Sequence, residues 1–168
     1  MFFICSAMIK LDKAFYWTVE AYLSRHDMSP ACFGQRSLGD PCFVADLARG
    51  RSPSLRTADK VLVFMGFAPL GQAFVDEVEA FLAITGIKSS ELGYAATGNP
   101  SFVNRLRRGT SPRLTTVDQI RSWIIENSSA EEHRAIRDQC VSKAPCRRGV
   151  PLPLDHVAFI PLNHRVVH

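Results

Sequence analysis

Residues 39–57 have the sequence GDPCFVADLARGRSPSLRT, and residues 98–116 repeat it as GNPSFVNRLRRGTSPRLTT. The second stretch begins 59 positions after the first and keeps its glycines, its prolines and most of its apolar residues. The match continues on both sides, so that about a third of the aligned positions are identical over about fifty residues. Such internal similarity indicates a duplicated unit, and we expect two copies of one small fold.

The duplication predicts the domain organisation. We assign residues 11–66 to a first copy and residues 72–127 to a second copy. The connection 67–71 is short and apolar, so the copies are expected to pack together. A further helix is predicted over 128–143, followed by an extended or disordered tail at 144–168, which contains several prolines and shows no helical periodicity.

Both copies are predicted to be helical throughout. Apolar residues recur every three or four positions, as in amphipathic helices. Ser29, Asp40 and Asn99 each precede a proline, a pattern that begins a helix. Ser129 and Glu132 have the spacing of a capping box, in which each side chain binds the backbone N–H of the other residue. The predicted fold class is therefore all-α.

The composition and charge of the chain limit the possible functions but do not identify one. The chain has 46% hydrophobic residues, a formal net charge of +4 and an isoelectric point near 8.9, which fits a globular, mildly basic protein. Residues 99–113 contain four arginines and no acid, whereas residues 40–56 contain three arginines and two aspartates. The second copy is thus the more electropositive.

Cysteine usage and the N-terminal residues favour the cytoplasm. Five cysteines are an odd number and show no framework spacing, which is typical of reduced thiols. The apolar start at residues 1–9 lacks a cleavage site for an export signal, and it is far shorter than the ~20 residues that a membrane span needs. No membrane partner is expected.

Signatures of catalysis and metal binding are missing from the sequence. It has no glycine-rich phosphate loop, no Gly-x-Ser-x-Gly and no His-Glu-x-x-His. Cys140, Cys146, His133 and His156 form no Cys-x-x-Cys pair, so no zinc site is expected. We expect neither an enzyme nor a cofactor. The glutamates at matching repeat positions, Glu20 and Glu79, are interpreted as salt links between helices.

A pattern of Phe-Val-x-x-Leu-x-Arg-Gly with proline three residues later occurs at 43–53 and again at 102–112. It resembles the Cro/C1-type (lambda-repressor-like, XRE-like) helix-turn-helix domain of bacterial and phage regulators. The resemblance implies two tandem helix-turn-helix units related by a pseudo-two-fold axis, with recognition helices at 41–49 and 100–108 that enter the major groove. It also implies sequence-specific binding of double-stranded DNA by a transcriptional regulator associated with the nucleoid.

Several side chains of these stretches are candidates for DNA contact. Asn104 and Arg105 are predicted on the solvent side of their helix, with donors suited to adenine and guanine edges. The other arginines would bind phosphates, whereas Asp46 would accept from a cytosine amino group or repel phosphate. The predicted DNA-binding residues are Ser101, Asn104, Arg105, Arg107, Arg108 and Arg113 in the second copy, and Cys42, Asp46, Arg49, Arg51 and Arg56 in the first.

The sequence leaves alternatives open. The arginines are either DNA contacts or a solvated helix face. Either both copies bind, with recognition helices about 34 Å apart, or only the second binds and the first is a dimerisation or activator-docking module. Besides DNA, the expected partners are a second copy of the chain (a homodimer), RNA polymerase or a regulatory protein. The alternative function is a protein-interaction adaptor on the same scaffold, antitoxin-like or polymerase-docking.

Overall fold

The computed structural model describes residues 10–143, and the expected tail at 144–168 and the apolar start at 1–9 lie outside them. The described part of the chain is all-α, as predicted, and its only β feature is an isolated bridge. The helices are α1 (Leu11–Arg25), α2 (Pro30–Leu38), α3 (Phe43–Ala48), α4 (Leu55–Phe64), α5 (Gly71–Thr85), α6 (Ser89–Thr97), α7 (Phe102–Arg107), α8 (Leu114–Glu126) and α9 (Ala130–Lys143).

Local side-chain chemistry determines several helix ends. The Ser29 hydroxyl accepts a hydrogen bond from the backbone N–H of Cys32 at 3.3 Å, and Pro30 occupies the first turn of α2. Gly39 ends α2 with φ of 75°, a left-handed conformation that glycine adopts without steric cost. The predicted capping box at α9 is confirmed, because Ser129 and Glu132 exchange bonds of 2.7 and 3.2 Å.

The sequence repeat is reproduced in the helices and in the core. Helices α2, α3 and α4 begin 59 positions before α6, α7 and α8. Equivalent apolar positions are buried in both copies, which explains why the repeat conserves them. The buried pairs include Phe15 and Phe74, Val19 and Val78, Val44 and Val103, Leu47 and Leu106, Leu55 and Leu114, and Val61 and Ile120.

The two copies meet in a junction formed by residues 52–56 and 111–115. The Leu55 N–H donates to the Pro112 carbonyl at 2.7 Å, and the Leu114 N–H donates to the Pro53 carbonyl at 3.0 Å. Between these bonds, residues 54 and 113 form the antiparallel bridge. The two bonds join equivalent residues, with donor and acceptor contributed by opposite copies in each case. Such a reciprocal pair is typical of a symmetric dimer interface.

Side chains add a second exchanged pair at the junction. The Arg56 N–H donates to the Ser111 hydroxyl at 2.7 Å, and the Thr115 N–H donates to the Ser52 hydroxyl at 3.1 Å. The four bonds therefore repeat one geometry twice, once from each copy. They confirm that the copies pack together.

Two aspartates at equivalent positions, Asp59 on α4 and Asp118 on α8, link the copies again. The Asp59 carboxylate accepts from the backbone N–H of Leu70 at 2.6 Å and from that of Gly71 at 3.2 Å, where α5 begins. The Asp118 carboxylate accepts from the Leu11 N–H at 2.9 Å, where α1 begins. The last helix of each copy thus caps the first helix of the other copy.

Titration of these carboxylates should affect stability. Burial raises the pKa of Asp59 above its ordinary value of 3.8, against the opposing effect of the hydrogen bonds from Leu70 and Gly71. An acid with a raised native pKa stabilises the fold most at low pH, and this contribution is lost as the pH rises through the native pKa. We therefore expect the free energy of unfolding of the wild type to increase relative to that of Asp59→Asn as the pH falls from about 7 to about 4. Urea denaturation of both proteins measures this difference, and a difference independent of pH would contradict the prediction.

Helix α9 breaks the symmetry by covering one copy only. It packs along α5, where its Ile136 is 5% exposed and where Ala80 is buried. The residue equivalent to Ala80 in the first copy, Ala21 on α1, is exposed. The outer face of α5 is thus part of the core, and the corresponding face of α1 is surface.

Truncation of Ile136 tests the docking of α9. We expect Ile136→Ala to lower the free energy of unfolding by about 2–4 kcal/mol, because it leaves a cavity against α5. Val141→Ala on the same helix is the matched control, since Val141 is 56% exposed and its truncation should cost less than about 0.5 kcal/mol. Thermal and denaturant unfolding measure both changes, and equal effects of the two substitutions would contradict the packing of α9.

Candidate nucleic-acid interface

The helices proposed to meet DNA are shorter than predicted. The stretches 41–49 and 100–108 contain helices only at 43–48 and 102–107. The Asp40 carboxylate accepts from the Cys42 N–H, and the Asn99 side chain accepts from the Ser101 N–H, each at 3.0 Å. These bonds span two residues and stabilise a turn before the helix. Asp40 and Asn99 therefore cap the turn, and the helix begins two residues later than the sequence suggested.

The helix before each turn approaches it closely at a glycine. A Cβ atom at Gly34 on α2 would overlap the Asp40 carbonyl oxygen, and one at Gly93 on α6 would overlap the Asn99 carbonyl oxygen. The clashing atom belongs to the backbone in both cases, so it cannot move away by changing rotamer as a flexible side chain would. The glycines thus allow α2 to pack against α3, and α6 against α7.

Each of the short helices has one buried and one exposed face. Val44 and Leu47 of α3, like Val103 and Leu106 of α7, are buried. The predicted site residues Cys42, Ser101, Asn104 and Arg105 lie on the exposed side. Phe43 is buried and its equivalent Phe102 is partly buried, so both rings belong to the packing.

Arginines of the second copy divide into two kinds. The Arg107 guanidinium binds Glu79 on α5 through its Nε at 2.7 Å and its Nη2 at 2.9 Å, and this bond raises the pKa of Arg107. Arg107 therefore links α7 to α5, as the salt-link interpretation of Glu79 predicted. Arg105, Arg108 and Arg113 are exposed, and none forms an ion pair within residues 10–143. These three arginines are available to an anionic partner.

The three arginines of the first copy that were predicted to contact DNA are engaged within the protein. The Asp46 carboxylate accepts from Arg51 at 2.6 Å and from Arg49 at 3.4 Å. Arg56 lies at the junction, where its Nη2 donates to the Gly109 carbonyl at 3.3 Å. These pairings were not predicted from the sequence, although the replacement of Asp46 by Arg105 at the equivalent position of the second copy indicated different charge networks.

The junction brings the two basic segments together. The turns that follow α3 and α7 both run into the bridge between residues 54 and 113. We give the name junction surface to the arginines that lie in these turns or in the adjoining ends of helices: Arg49, Arg51, Arg56, Arg105, Arg108 and Arg113. Phosphate oxygens are the partners that such guanidinium groups bind in nucleic acids.

Other kinds of site find little support in the described residues. No group of three or more His, Cys, Asp or Glu side chains between residues 10 and 143 is placed to hold a metal ion. His133 and Cys140 belong to α9, whereas Cys146 and His156 lie outside the described residues. None of the helices in this part of the chain has the length and apolar character needed to span a bilayer.

Comparison of the chain with models of protein families, with curated protein sequences and with solved structures finds no match. The chain's own residues and geometry are therefore the basis for a function.

The glycine contact gives a test of the turn geometry. We expect Gly34→Ala to lower the free energy of unfolding by about 1–3 kcal/mol, because the added methyl group overlaps backbone of the turn. Gln35→Ala, at an exposed position of the same helix, is the control and should change stability by less than about 0.5 kcal/mol. Thermal melts followed by circular dichroism compare them, and an unchanged melting temperature for Gly34→Ala would refute the close approach.

Proposed function

We propose that the chain is a transcriptional regulator that binds double-stranded DNA through two tandem lambda-repressor-like helix-turn-helix units. In this proposal, α3 and α7 are the recognition helices and the junction surface faces the phosphate backbone. The observation that carries the proposal is the exchanged set of hydrogen bonds at the junction. It relates α3 and α7 as the two halves of a symmetric dimer are related, and duplex DNA offers matching half-sites to such a pair.

Chain length sets an upper limit on this spacing. Arg49 and Ser54 are five positions apart, as are Arg108 and Arg113, so each turn reaches at most about 18 Å. Strands of an antiparallel bridge add about 5 Å, which limits the ends of α3 and α7 to a separation of about 40 Å. Two successive major grooves on one face of DNA lie about 34 Å apart, within this limit. Chain length therefore permits one chain to occupy both half-sites.

Charge supports unequal roles for the copies. Arg105 and Arg108 are exposed and unpaired beside Asn104, whereas Arg49 and Arg51 are paired with Asp46. Asn104 and Arg105 have the donors to recognise base edges, and Arg108 and Arg113 have the charge to bind phosphates. The second copy accordingly supplies most of the contacts.

Binding measurements at several salt concentrations test the proposal. Duplexes enriched by the full chain from a random library should bind tightly and lose affinity steeply with salt. We expect Arg108→Ala to reduce the slope of log K against log salt by about 0.9, the value for one phosphate. Arg105→Ala should weaken binding about tenfold or more and relax selectivity at one base pair.

Arg137→Ala supplies the control, since it removes an exposed arginine from α9 and should leave both quantities unchanged. Failure to enrich any duplex at low salt would refute DNA binding.

The protein-interaction adaptor remains the second candidate, and one observation favours it. Trp17 on α1, Val63 on α4 and Tyr94 on α6 are large apolar side chains that stay exposed. A protein partner that covers them would bind with little salt dependence, and its affinity would fall on Trp17→Ala and stay constant on Arg105→Ala.

A further inference from the structure

The two copies share a backbone geometry at the start of the turn after α3 and α7. The Arg51 N–H donates to the Asp46 carbonyl at 3.0 Å, and the equivalent Thr110 N–H donates to the Arg105 carbonyl at 3.0 Å. The side chains on this common frame differ: Asp46 corresponds to Arg105, and Arg51 corresponds to Thr110. The copies therefore differ here in charge and not in backbone shape.

In the first copy this frame holds a compact ion-pair cluster. One Asp46 carboxylate oxygen binds Arg51 and the other binds Arg49, so both oxygens are occupied by guanidinium groups. The Asp46 side chain is 27% exposed, against 77% for Arg49 and 64% for Arg51. The carboxylate thus lies beneath two arginines that point into solvent.

We infer that Asp46 competes with DNA phosphate for the guanidinium groups of Arg49 and Arg51. This competition weakens DNA binding by the first copy and gives the complex one preferred orientation. The inference rests on the proposed function. A carboxylate and a phosphate accept from guanidinium in the same way, so Asp46 occupies the Nη1 donors of Arg49 and Arg51 that a two-pronged contact with phosphate would use. A phosphate that approaches them also meets the negative charge of Asp46.

The consequence is a division of labour between the two halves. Arg49, Arg51 and Asp46 carry a net charge of +1, whereas Arg105, Arg108 and the neutral Thr110 carry +2. The second copy anchors the chain on DNA, and the first copy contributes fewer phosphate contacts. A single chain then binds an asymmetric site in one preferred orientation.

Removing the competing charge tests the inference. Asp46→Asn keeps the shape of the side chain and releases both arginines. With the full chain and an enriched duplex of about 30 base pairs, we expect it to bind on the order of tenfold more tightly at low salt. The slope of log K against log salt should steepen by about 0.9–1.8, the range for one or two added phosphates. Phosphate-ethylation interference should show the added contacts at one end of the site.

Glu126→Gln is the matched control. It changes the net charge by the same amount at the far end of α8, about 18 Å along the helix from Leu114. Its affinity and salt slope should equal those of the wild type. Melting curves of the variants establish that they are folded.

The outcomes separate the two proposals. If the wild type binds DNA with strong salt dependence and Asp46→Asn behaves like Glu126→Gln, the competitor role is wrong and DNA binding stands. If Asp46→Asn binds more weakly and loses selectivity at one base pair, Asp46 itself contacts a base, which also overturns the inference. If the wild type enriches no duplex, both proposals fail together.

Discussion

Carboxylates that cap helices across the boundary between the copies hold this fold together. Asp59 caps α5 only eleven residues ahead, next to the connection between the copies, whereas Asp118 caps α1 from 107 residues away. Asp118 and Leu11 are not held close together by a short connecting segment, as Asp59 and Leu70 are. The geometry of the second bond nevertheless repeats the first, so the start of α1 sits on the second copy as the start of α5 sits on the first. Each copy thereby caps the first helix of the other, and the junction hydrogen bonds join the same two copies.

How much of this the sequence could predict depends on the range of each interaction. The helices, the buried apolar positions and the capping box at Ser129 depend on neighbours within a few residues, and they were predicted well. The exact start of α3 was missed because Asp40 binds the N–H two residues ahead and forms a turn first. The matched aspartates were visible in the repeat, but their partners across the copies depend on how two units dock.

The charge networks of the candidate interface show the same limit. A pattern of arginines indicates a basic surface, but it does not tell which of them are already paired. Arg107 is committed to Glu79, which lies 28 residues away on α5, and Arg51 is committed to Asp46 because the turn returns it over α3. Only the folded geometry separates these from Arg105 and Arg108. The sequence therefore predicts where the basic surface lies. The structure shows which of its arginines are already paired and which are not.

Covalent duplication explains why such differences can accumulate. In a homodimer every substitution occurs twice, so a change that suits one half is imposed on the other. Here Arg121 in the second copy forms an ion pair with Glu77 at 2.9 Å and lies over the Phe74 ring, where the first copy has Leu62 and Thr18. Positions that hold the copies together, such as Asp59 and Asp118, must stay alike because each serves the other half. Asp46 and Arg105 lie on the outer side of their helices and are not under that constraint, so they are free to differ.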